Sequence, residues 1–461
     1  MRRAMLAVLM LGVSAGPADA QQALSFDDAV ARLQSRNEKL QAAGHAVEHA
    51  QSEAGIARGR RWPTLDLNAQ ALRWNDPLVI ELRDASISFP DLPIALPPLP
   101  LPDANLSIDQ QDYRSVIATA RQPLYAGGRI QAGIRAADAA VAAAQAQRQG
   151  EQGSLTLELV QRYFGQRLAD QAVRVRQSTL DSLAHHLGDA RKLEREGQIA
   201  RAERLRAEVA WAEAQRELGD AQRQSELARS ALAALLASDT TFDPTTPIPQ
   251  VPRPESLAAL QSKAQQGNPQ LQRLAQEKLR AEQGVRAVRG EFAPTIGLLA
   301  LSRLYSRDPI FEQPDWAVGV ALDWPLFDGF QRNHKLQGAR SQLDQVEALE
   351  AAGRRDVNLL VEQRYQQLNN ALDQLASYES TRALAEESLP AQRLAFGAGF
   401  ATSLDVVDAE LALSRLRLGI ASAHYQAAVA QAGLLEASGD SARIREFVRA
   451  APTAEGEGHA E

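Results

Sequence analysis

The 461-residue chain carries a formal net charge of −7 and contains no cysteine. The lack of cysteine excludes disulfides, thiolate metal ligands and a lipid-modified N-terminal cysteine, and the acidic balance does not favour nucleic-acid binding. Alanine, glutamine, leucine and arginine dominate a sequence that is only 5% aromatic. Together with helical periodicity, this composition indicates long helices and coiled coil.

The first 20 residues have the order of features of a secretory signal. Arg2 and Arg3 precede the apolar segment Ala4–Val13, and the triplet Ala-Asp-Ala at 18–20 fits a cleavage site. We therefore expect cleavage after Ala20 and export of the mature chain. No later stretch approaches about 18 consecutive apolar residues, so the sequence predicts no transmembrane helix.

The mature chain contains two copies of one pattern, and the offset between copies changes once. The matching pairs are Asn37–Leu40 with Asn268–Leu271 at an offset of 231, and Pro123–Tyr125 with Pro325–Phe327 and Gly197 with Gly399 at an offset of 202. The change of 29 residues falls between the two strands of each copy, where only a loop tolerates it.

Alternation predicts membrane strands. Trp316, Val318, Val320, Leu322 and Trp324 share one strand face, opposite small or acidic residues, as in a strand between lipid and water. The first copy repeats the alternation from residue 65 to residue 71, between two tryptophans. An amphipathic strand of a soluble sheet is the alternative. The predicted membrane-interface anchors are Trp62, Trp74, Trp316 and Trp324.

Helices and loops complete each copy. Residues 76–111 hold seven prolines, which exclude helix and central strand and predict a long extracellular loop. A helix from Arg129 to Glu196 would be about 100 Å long and needs neighbouring helices to stand. The predicted segments are a signal peptide (1–20), the first helix of each repeat (21–61 and 255–292), β-hairpins (62–125 and 293–327), long helix pairs (126–238 and 328–438), a linker (239–254) and a flexible tail (439–461).

Two hairpins supply four strands, too few to close a barrel in lipid. Eight strands from two chains would leave an interior filled by side chains, whereas twelve from three chains would leave a water-filled lumen. The sequence therefore predicts a mainly α-helical protein with a membrane β-barrel. In this interpretation three chains share twelve strands, and their helices continue the tunnel below the membrane.

The duplicated motifs resemble the TolC family of outer-membrane efflux proteins. The motifs are the paired N-x-x-L segments, the strand-to-helix turns Q-P-L-Y-A-G-G-R and W-P-L-F-D-G-F-Q-R, and G-F-A-T-S-L-D-V-V-D-A-E; the resemblance covers about residues 24–440. It implies a homotrimer with a twelve-stranded barrel in outer-membrane lipid and an α-helical barrel in the periplasm of a Gram-negative bacterium. It further implies a periplasmic end opened by an adaptor (membrane fusion) protein and an inner-membrane pump. The turn residues are Pro123, Gly127, Gly128, Pro325 and Gly329.

The same resemblance implies functional positions at the helix-hairpin tips. Asp405 and Asp408 match positions that line the family's periplasmic constriction, where three chains would form cation-selective rings; alternatively, they only favour the helix dipole. The tip glycines end their helices and are also expected to contact the adaptor. The predicted adaptor-binding residues are Glu196, Gly197, Gln198, Ile199, Ala200, Gly399, Phe400 and Thr402.

One feature of the family is missing. Some members lock the closed tip with a Tyr and an Arg bonded to a carboxylate, but the corresponding positions here are Phe396 and Ala401, opposite Glu203. Closure must then rest on packing and the aspartate rings, or on other pairs such as those of Arg201 or Arg204.

Other chemistry is weakly indicated. His45 and His49 are four residues apart and His185 adjoins His186, but without a third ligand we predict surface histidines rather than a metal site. No phosphate loop or hydrolase motif occurs. We predict no enzyme activity, no cofactor and a passive exit duct for small molecules such as drugs or metal ions. Type I secretion of polypeptides and a soluble periplasmic coiled-coil scaffold are the alternatives.

Overall fold

A computed structural model describes residues 22–76, 78–82, 86–87, 99–100, 104–108, 112–307 and 314–450. The predicted signal peptide and the end of the predicted tail lie outside these residues. The chain forms two compact units. The helical unit comprises segments within Met1–Glu48, Ala142–Ala275 and Ala348–Glu461, and the sheet unit comprises His49–Val141 and Gln276–Glu347.

The order of elements follows the predicted repeat. The helices are α1 (Phe26–Arg36), α2 (Glu38–Gly59), α3 (Arg129–Arg195), α4 (Arg201–Leu235), α5 (Leu257–Gly267), α6 (Pro269–Gly290), α7 (Gln331–Gly397), α8 (Ser403–Ala437) and α9 (Arg443–Ala450). The strands are β1 (Gln22–Leu24), β2 (Thr64–Arg73), β3 (Leu78–Leu82), β4 (Ser86–Ile87), β5 (Leu99–Pro100), β6 (Ala104–Ile108), β7 (Asp112–Ala126), β8 (Phe242–Pro244), β9 (Thr295–Arg307) and β10 (Trp316–Asp323). No described helix is both long enough and apolar enough to cross a membrane.

The first helix of each repeat is broken, which the sequence did not predict. Asn37 separates α1 from α2, and Asn268 separates α5 from α6. Each asparagine has an extended backbone, with ψ of 124° and 123°. Its side-chain oxygen accepts from the first turn of the next helix, at 3.0 Å from Lys39 N and 2.9 Å from Gln270 N. The break is thus an N-cap that restarts the helix.

An aromatic cluster fills the core of the helical unit near α1. Phe26, Tyr163 and Phe164 lie with ring centroids 5.2–5.6 Å apart, and all three are buried. The Tyr163 hydroxyl donates to the carbonyl of Leu24 at 2.7 Å and accepts from Thr246 N at 2.9 Å. These bonds fix β1 beside β8, its parallel partner. In the second repeat the buried cluster is aliphatic, including Leu271, Val357, Val361, Leu368 and Leu434, and one aromatic residue, Tyr365, packs against it partly buried.

The sheet unit contains an antiparallel sheet with the strand order β10-β9-β7-β2. Both predicted hairpins are present, since β2 pairs with β7 and β9 pairs with β10. The predicted apolar face is exposed: Leu65 is 77% exposed, and Val318 and Val320 are 66% and 68% exposed. These residues therefore do not lie inside a packed core of the chain.

The sequence predicted that the proline-rich segment 76–111 is a loop throughout, but the structure has strands within it. Within it β3 pairs with β6 and β4 pairs with β5, both antiparallel. Strand β5 includes Pro100. Two-stranded ribbons consist only of edge strands, where the missing proline N–H is tolerated, so proline content excluded a central strand but not this arrangement.

Candidate functional site

The two helix-hairpin tips of the helical unit have the same backbone geometry. Gly197 and Gly399 have φ of +73° and +79°, in the left-handed region that favours glycine. One residue later, Gln198 N donates to Leu193 O at 2.8 Å and Phe400 N donates to Ala395 O at 2.8 Å. Each tip is therefore a glycine-ended helix followed by a sharp reversal.

The apolar residues at the tips differ between repeats. Ile199 packs onto a buried cluster formed by Leu187, Ala190, Ala207, Phe396 and Val406, which we call the tip core. Phe400 is 89% exposed. Only the second tip therefore presents a large aromatic side chain to its surroundings. The other predicted adaptor-binding residues are exposed at the same turns, namely Glu196, Gly197, Gln198, Ala200, Gly399 and Thr402.

At the two positions of the missing lock, Phe396 and Ala401, the structure has apolar packing. Phe396 is only 4% exposed and lies 4.7 Å from the His186 ring, edge to face. Ala401 packs against the tip core. The structure therefore brings Phe396 and Ala401 together with helices of both hairpins. The contact at these two residues is apolar packing and not a hydrogen bond to a carboxylate.

A polar connection crosses the tip core at Ser403, the fully buried first residue of α8. The Ser403 hydroxyl is 2.7 Å from His186 Nε2 on α3, and Ser403 N donates to Glu203 Oε2 on α4 at 2.9 Å. Ser403 thus joins the second hairpin to both helices of the first. Glu203 also accepts from Arg206 at 2.8 Å.

A second connection lies further along α8. The Arg393 guanidinium on α7 donates to Glu410 Oε2 on α8 at 3.1 Å, and Ser182 on α3 bonds to both residues. Glu410 is 4% exposed. A buried carboxylate needs such partners because desolvation otherwise penalises its charge.

The cross-hairpin pairs suggested by the sequence are not the ones formed. Arg204 is bonded within the first hairpin, to Glu194 at 2.7 Å and to Glu208. Arg201 forms no ion pair with any residue in the described ranges. Instead Arg393 pairs with Glu410 within the second hairpin and reaches Ser182 of the first hairpin. Its role could not be predicted because its partners Ser182 and Glu410 lie on two other helices.

The two candidate constriction aspartates have different local roles. Asp405 closes a capping box with Thr402, whose N and hydroxyl both donate to Asp405 Oδ2 at 2.7 Å. These bonds hold the pKa of Asp405 below its ordinary value. Asp408 is exposed and carries no such bond. Helix capping therefore accounts locally for Asp405, whereas Asp408 has no local structural task.

The predicted strand-to-helix turns lie in the sheet unit. Gly127, Gly128 and Gly329 have φ of +60°, +78° and +65°. A Cβ on Gly127 would lie 2.2 Å from Gly290 O, so only glycine permits this approach of the turn to α6. Pro123 lies at an irregularity in the register of β7, and Pro325 follows β10.

The four predicted interface tryptophans lie at or next to the strand ends. Trp62 and Trp74 flank β2, and Trp316 and Trp324 flank the span of β10. Trp316 is 70% exposed and Trp324 is 54% exposed. The Trp324 ring N–H donates to Phe292 O at 3.2 Å. The rings of Trp316 and Trp324 are thus exposed, and the ring N–H of Trp324 keeps a hydrogen-bond acceptor within the chain.

Of the four histidines predicted to lie on the surface, three are exposed and one is buried. His45, His49 and His185 are exposed, and the described residues contain no group of three or more potential ligands that could hold a metal. His186 is buried, not on the surface. The missed signal was its spacing, since His186 falls between Leu183 and Ala190, both buried on the same helix face.

An antiparallel sheet with an exposed apolar face and, in the other unit, two long helix hairpins are typical of outer membrane channels. Residues 29–238 and 260–440 match the profile of the family described as "Outer membrane efflux protein", and the chain belongs to this family. The resemblance to TolC-type proteins is thereby confirmed. Members are channels rather than enzymes, which also confirms the prediction of no catalytic activity.

Individual proteins that resemble this chain also support its membership of the family. The chain is 27% identical over 342 residues to the cobalt-zinc-cadmium resistance protein CzcC of Cupriavidus metallidurans, covering 72% of this chain and 79% of that protein. It is 30% identical over 271 residues to protein CyaE of Bordetella pertussis, covering 56% of each. The solved outer-membrane channel OprN matches with a TM-score of 0.74 at 18% identity, over 90% of both chains. This likeness confirms the predicted fold class.

Proposed function

We propose that the chain forms a homotrimeric exit duct in the outer membrane of a Gram-negative bacterium, with its helices in the periplasm. The duct is passive and works with a periplasmic adaptor and an inner-membrane pump, which open its tip. The proposal rests on family membership and on the sheet, whose outer strands β2 and β10 each have one unpaired edge within the described residues. Unpaired strand edges are not tolerated in lipid.

The repeat predicts how one copy meets the next. Strand β7 corresponds to β10 at an offset of 202, and β9 corresponds to β2 at an offset of 231. Because β7 pairs with β9 inside the chain, the equivalent pairing joins β10 to β2 of a neighbouring copy. Three copies then close a ring of twelve strands with no free edge.

Applying the same two offsets to individual residues predicts which residues of neighbouring copies lie in contact. Ala118 pairs with Ser302 inside the chain, so Val320 should pair with Ala71 of the neighbour. Both belong to the predicted lipid-facing set, which supports the register. Likewise, the contact of Gly127 with Gly290 should recur between Gly329 and Gly59 of the neighbour. In the single chain, both of these glycines have open space where a Cβ would lie.

Engineered disulfides test this assembly without background, because the chain has no cysteine. The double variant Val320→Cys, Ala71→Cys should give covalent trimers on non-reducing gels after oxidation, because directly opposed Cβ atoms lie about 4.5–5.5 Å apart. The matched control Val320→Cys, Gln70→Cys places one thiol on the opposite sheet face and should give none. Monomers from both variants, or equal cross-linking, would refute the shared barrel.

For cargo, we propose divalent metal cations. CzcC, named for cobalt, zinc and cadmium resistance, covers most of this chain, and a ring of three exposed Asp408 carboxylates would favour cations over anions. Deleting the gene should increase sensitivity to Co²⁺, Zn²⁺ and Cd²⁺, and plasmid copies of the wild type but not Asp408→Arg should restore growth. Unchanged metal tolerance, with loss of a secreted polypeptide, would favour type I secretion instead.

A further inference from the structure

His186 is placed where its charge would affect closure of the tip. It lies on α3, 5% exposed, with its ring against Phe396 of α7 and its Nε2 at Ser403 of α8. The carboxylate of Glu203 on α4 accepts a hydrogen bond from the backbone N–H of the same serine. Four helices therefore meet around one imidazole. We call the chain of bonds His186–Ser403–Glu203 the Ser403 latch.

Any movement of α8 away from the first hairpin separates it from both α3 and α4, to which Ser403 is bonded. That separation breaks both bonds of the Ser403 latch and gives water access to the His186 ring. Closing does the reverse and buries the ring. The imidazole is therefore buried in one state and hydrated in the other, which couples its protonation to the position of α8.

The charged groups around the His186 ring shift its pKa in opposite directions. A cavity of about 340 Å³ adjoins it, lined by His185, Asp189, Lys192, Glu196 and Arg393 among others. Burial lowers the pKa of His186; Asp189 of α3 and Glu203 of α4 oppose the shift, and Arg393 of α7 adds to it. The net direction is a pKa below the ordinary value near 6.5. The facing group from α8 is the neutral Ser403 hydroxyl.

We propose that the Ser403 latch is a pH-sensitive closure, held while His186 is neutral and released when His186 is protonated. This inference rests on the proposed function, because it concerns the regulation of the duct. A hydrated imidazole binds a proton more tightly than the buried one, so acidification through about pH 6.5 favours the open tip. An acidified periplasm would then lower the work that the adaptor must do.

Conductance of the full trimer in planar bilayers tests the latch at pH 7.5 and 5.5, above the range where exposed carboxylates titrate. The wild type should conduct about threefold more, or better, at the lower pH. His186→Gln keeps a neutral hydrogen-bonding side chain and should conduct little at both values. His185→Gln, the matched control at the exposed neighbour, should respond like the wild type.

A second variant covers the case in which His186→Gln does not assemble. Ser403→Ala keeps the imidazole but removes the hydroxyl, so it should conduct at pH 7.5 and change little on acidification. A wild type without pH response, or a His186→Gln variant that responds like the wild type, overturns the latch and leaves the duct intact. Absence of any pore at either pH, in every variant, would instead contradict the proposed function.

Discussion

Asn37 and Asn268 make the same bond in the two repeats, each from its side-chain amide to the last turn of a distant helix. Asn37 Nδ2 donates to Leu235 O at 3.2 Å, and Asn268 Nδ2 donates to Ala437 O at 3.0 Å. The donors are 231 residues apart and the acceptors are 202 apart, which are the two offsets of the sequence repeat. Each asparagine therefore caps one helix and satisfies the C-terminal end of another.

This dual role predicts a measurable cost of removal. Asn37→Ala and Asn268→Ala should each lower the free energy of unfolding by about 1–3 kcal/mol, because a helix cap is lost and a buried carbonyl loses its donor. Denaturant unfolding followed by circular dichroism provides the measurement. As a control, Asn370→Ala on the exposed surface of α7 should change stability by less than about 0.7 kcal/mol. Equal effects at all three sites would contradict the bond's importance.

Gly290 predicts a different kind of defect. A Cβ at this position would lie 2.4 Å from Gly127 O, so Gly290→Ala must push the strand-to-helix turn away from α6. We expect a loss of roughly 1–3 kcal/mol and little heat-modifiable trimer in outer-membrane fractions. Gly284→Ala on the same helix meets no atom and should be neutral or slightly stabilising. Normal trimer yield from Gly290→Ala would show that the turn can move freely.

The sequence predicted the parts of the fold that local patterns encode. Alternation placed Val318 and Val320 on an exposed strand face, and positive φ at Gly197 and Gly399 follows from glycine at the end of two matched helices. The breaks at Asn37 and Asn268 were missed because the apolar period continues across a one-residue cap. At Asn268 the following Pro269 is a signal of a helix start, because proline favours the first helical position and keeps the residue before it out of the helical region. Asn37 has no such neighbour.

The polar bonds of the tip could not be predicted, because their partners are far apart in the chain. His186 and Ser403 are 217 residues apart, and Ser182 and Glu410 are 228 apart. The spacing of His186 with Leu183 and Ala190 indicates that it is buried, but it does not identify the partner on another helix. Only the packing of both hairpins into one unit makes a buried histidine or carboxylate tolerable, since each needs a donor or acceptor from another helix.

Arg393 should therefore matter more than an exposed arginine. Arg393→Met leaves the buried Glu410 carboxylate with Ser182 alone, and we expect a loss of about 1–3 kcal/mol, below the full cost for a buried pair because Arg393 is 45% exposed. The double variant Arg393→Met, Glu410→Gln should recover part of this loss. Thermal unfolding compares them. Arg216→Met, at an exposed pair with Glu213, should leave the unfolding midpoint nearly unchanged, because water screens an exposed ion pair. Equal losses of stability for Arg393→Met and Arg216→Met would contradict this expectation.

Phe400 separates recognition from stability at the second tip. Its ring is 89% exposed, so Phe400→Ala removes few contacts within the chain and should leave the unfolding midpoint unchanged. If the Phe400 ring is the apolar anchor for the adaptor, its truncation should weaken binding of the adaptor by about 2 kcal/mol, which is roughly a thirtyfold loss of affinity. Complementation of a deletion strain should then fail, with metal tolerance falling toward that of the deletion strain. Gln198→Ala, at the equivalent position of the first tip, is the comparison variant: Gln198 also belongs to the predicted adaptor-binding set, but its truncation removes no aromatic ring and should weaken complementation much less. Full complementation by Phe400→Ala would place the anchor elsewhere, and a shifted unfolding midpoint would show that the ring supports the fold.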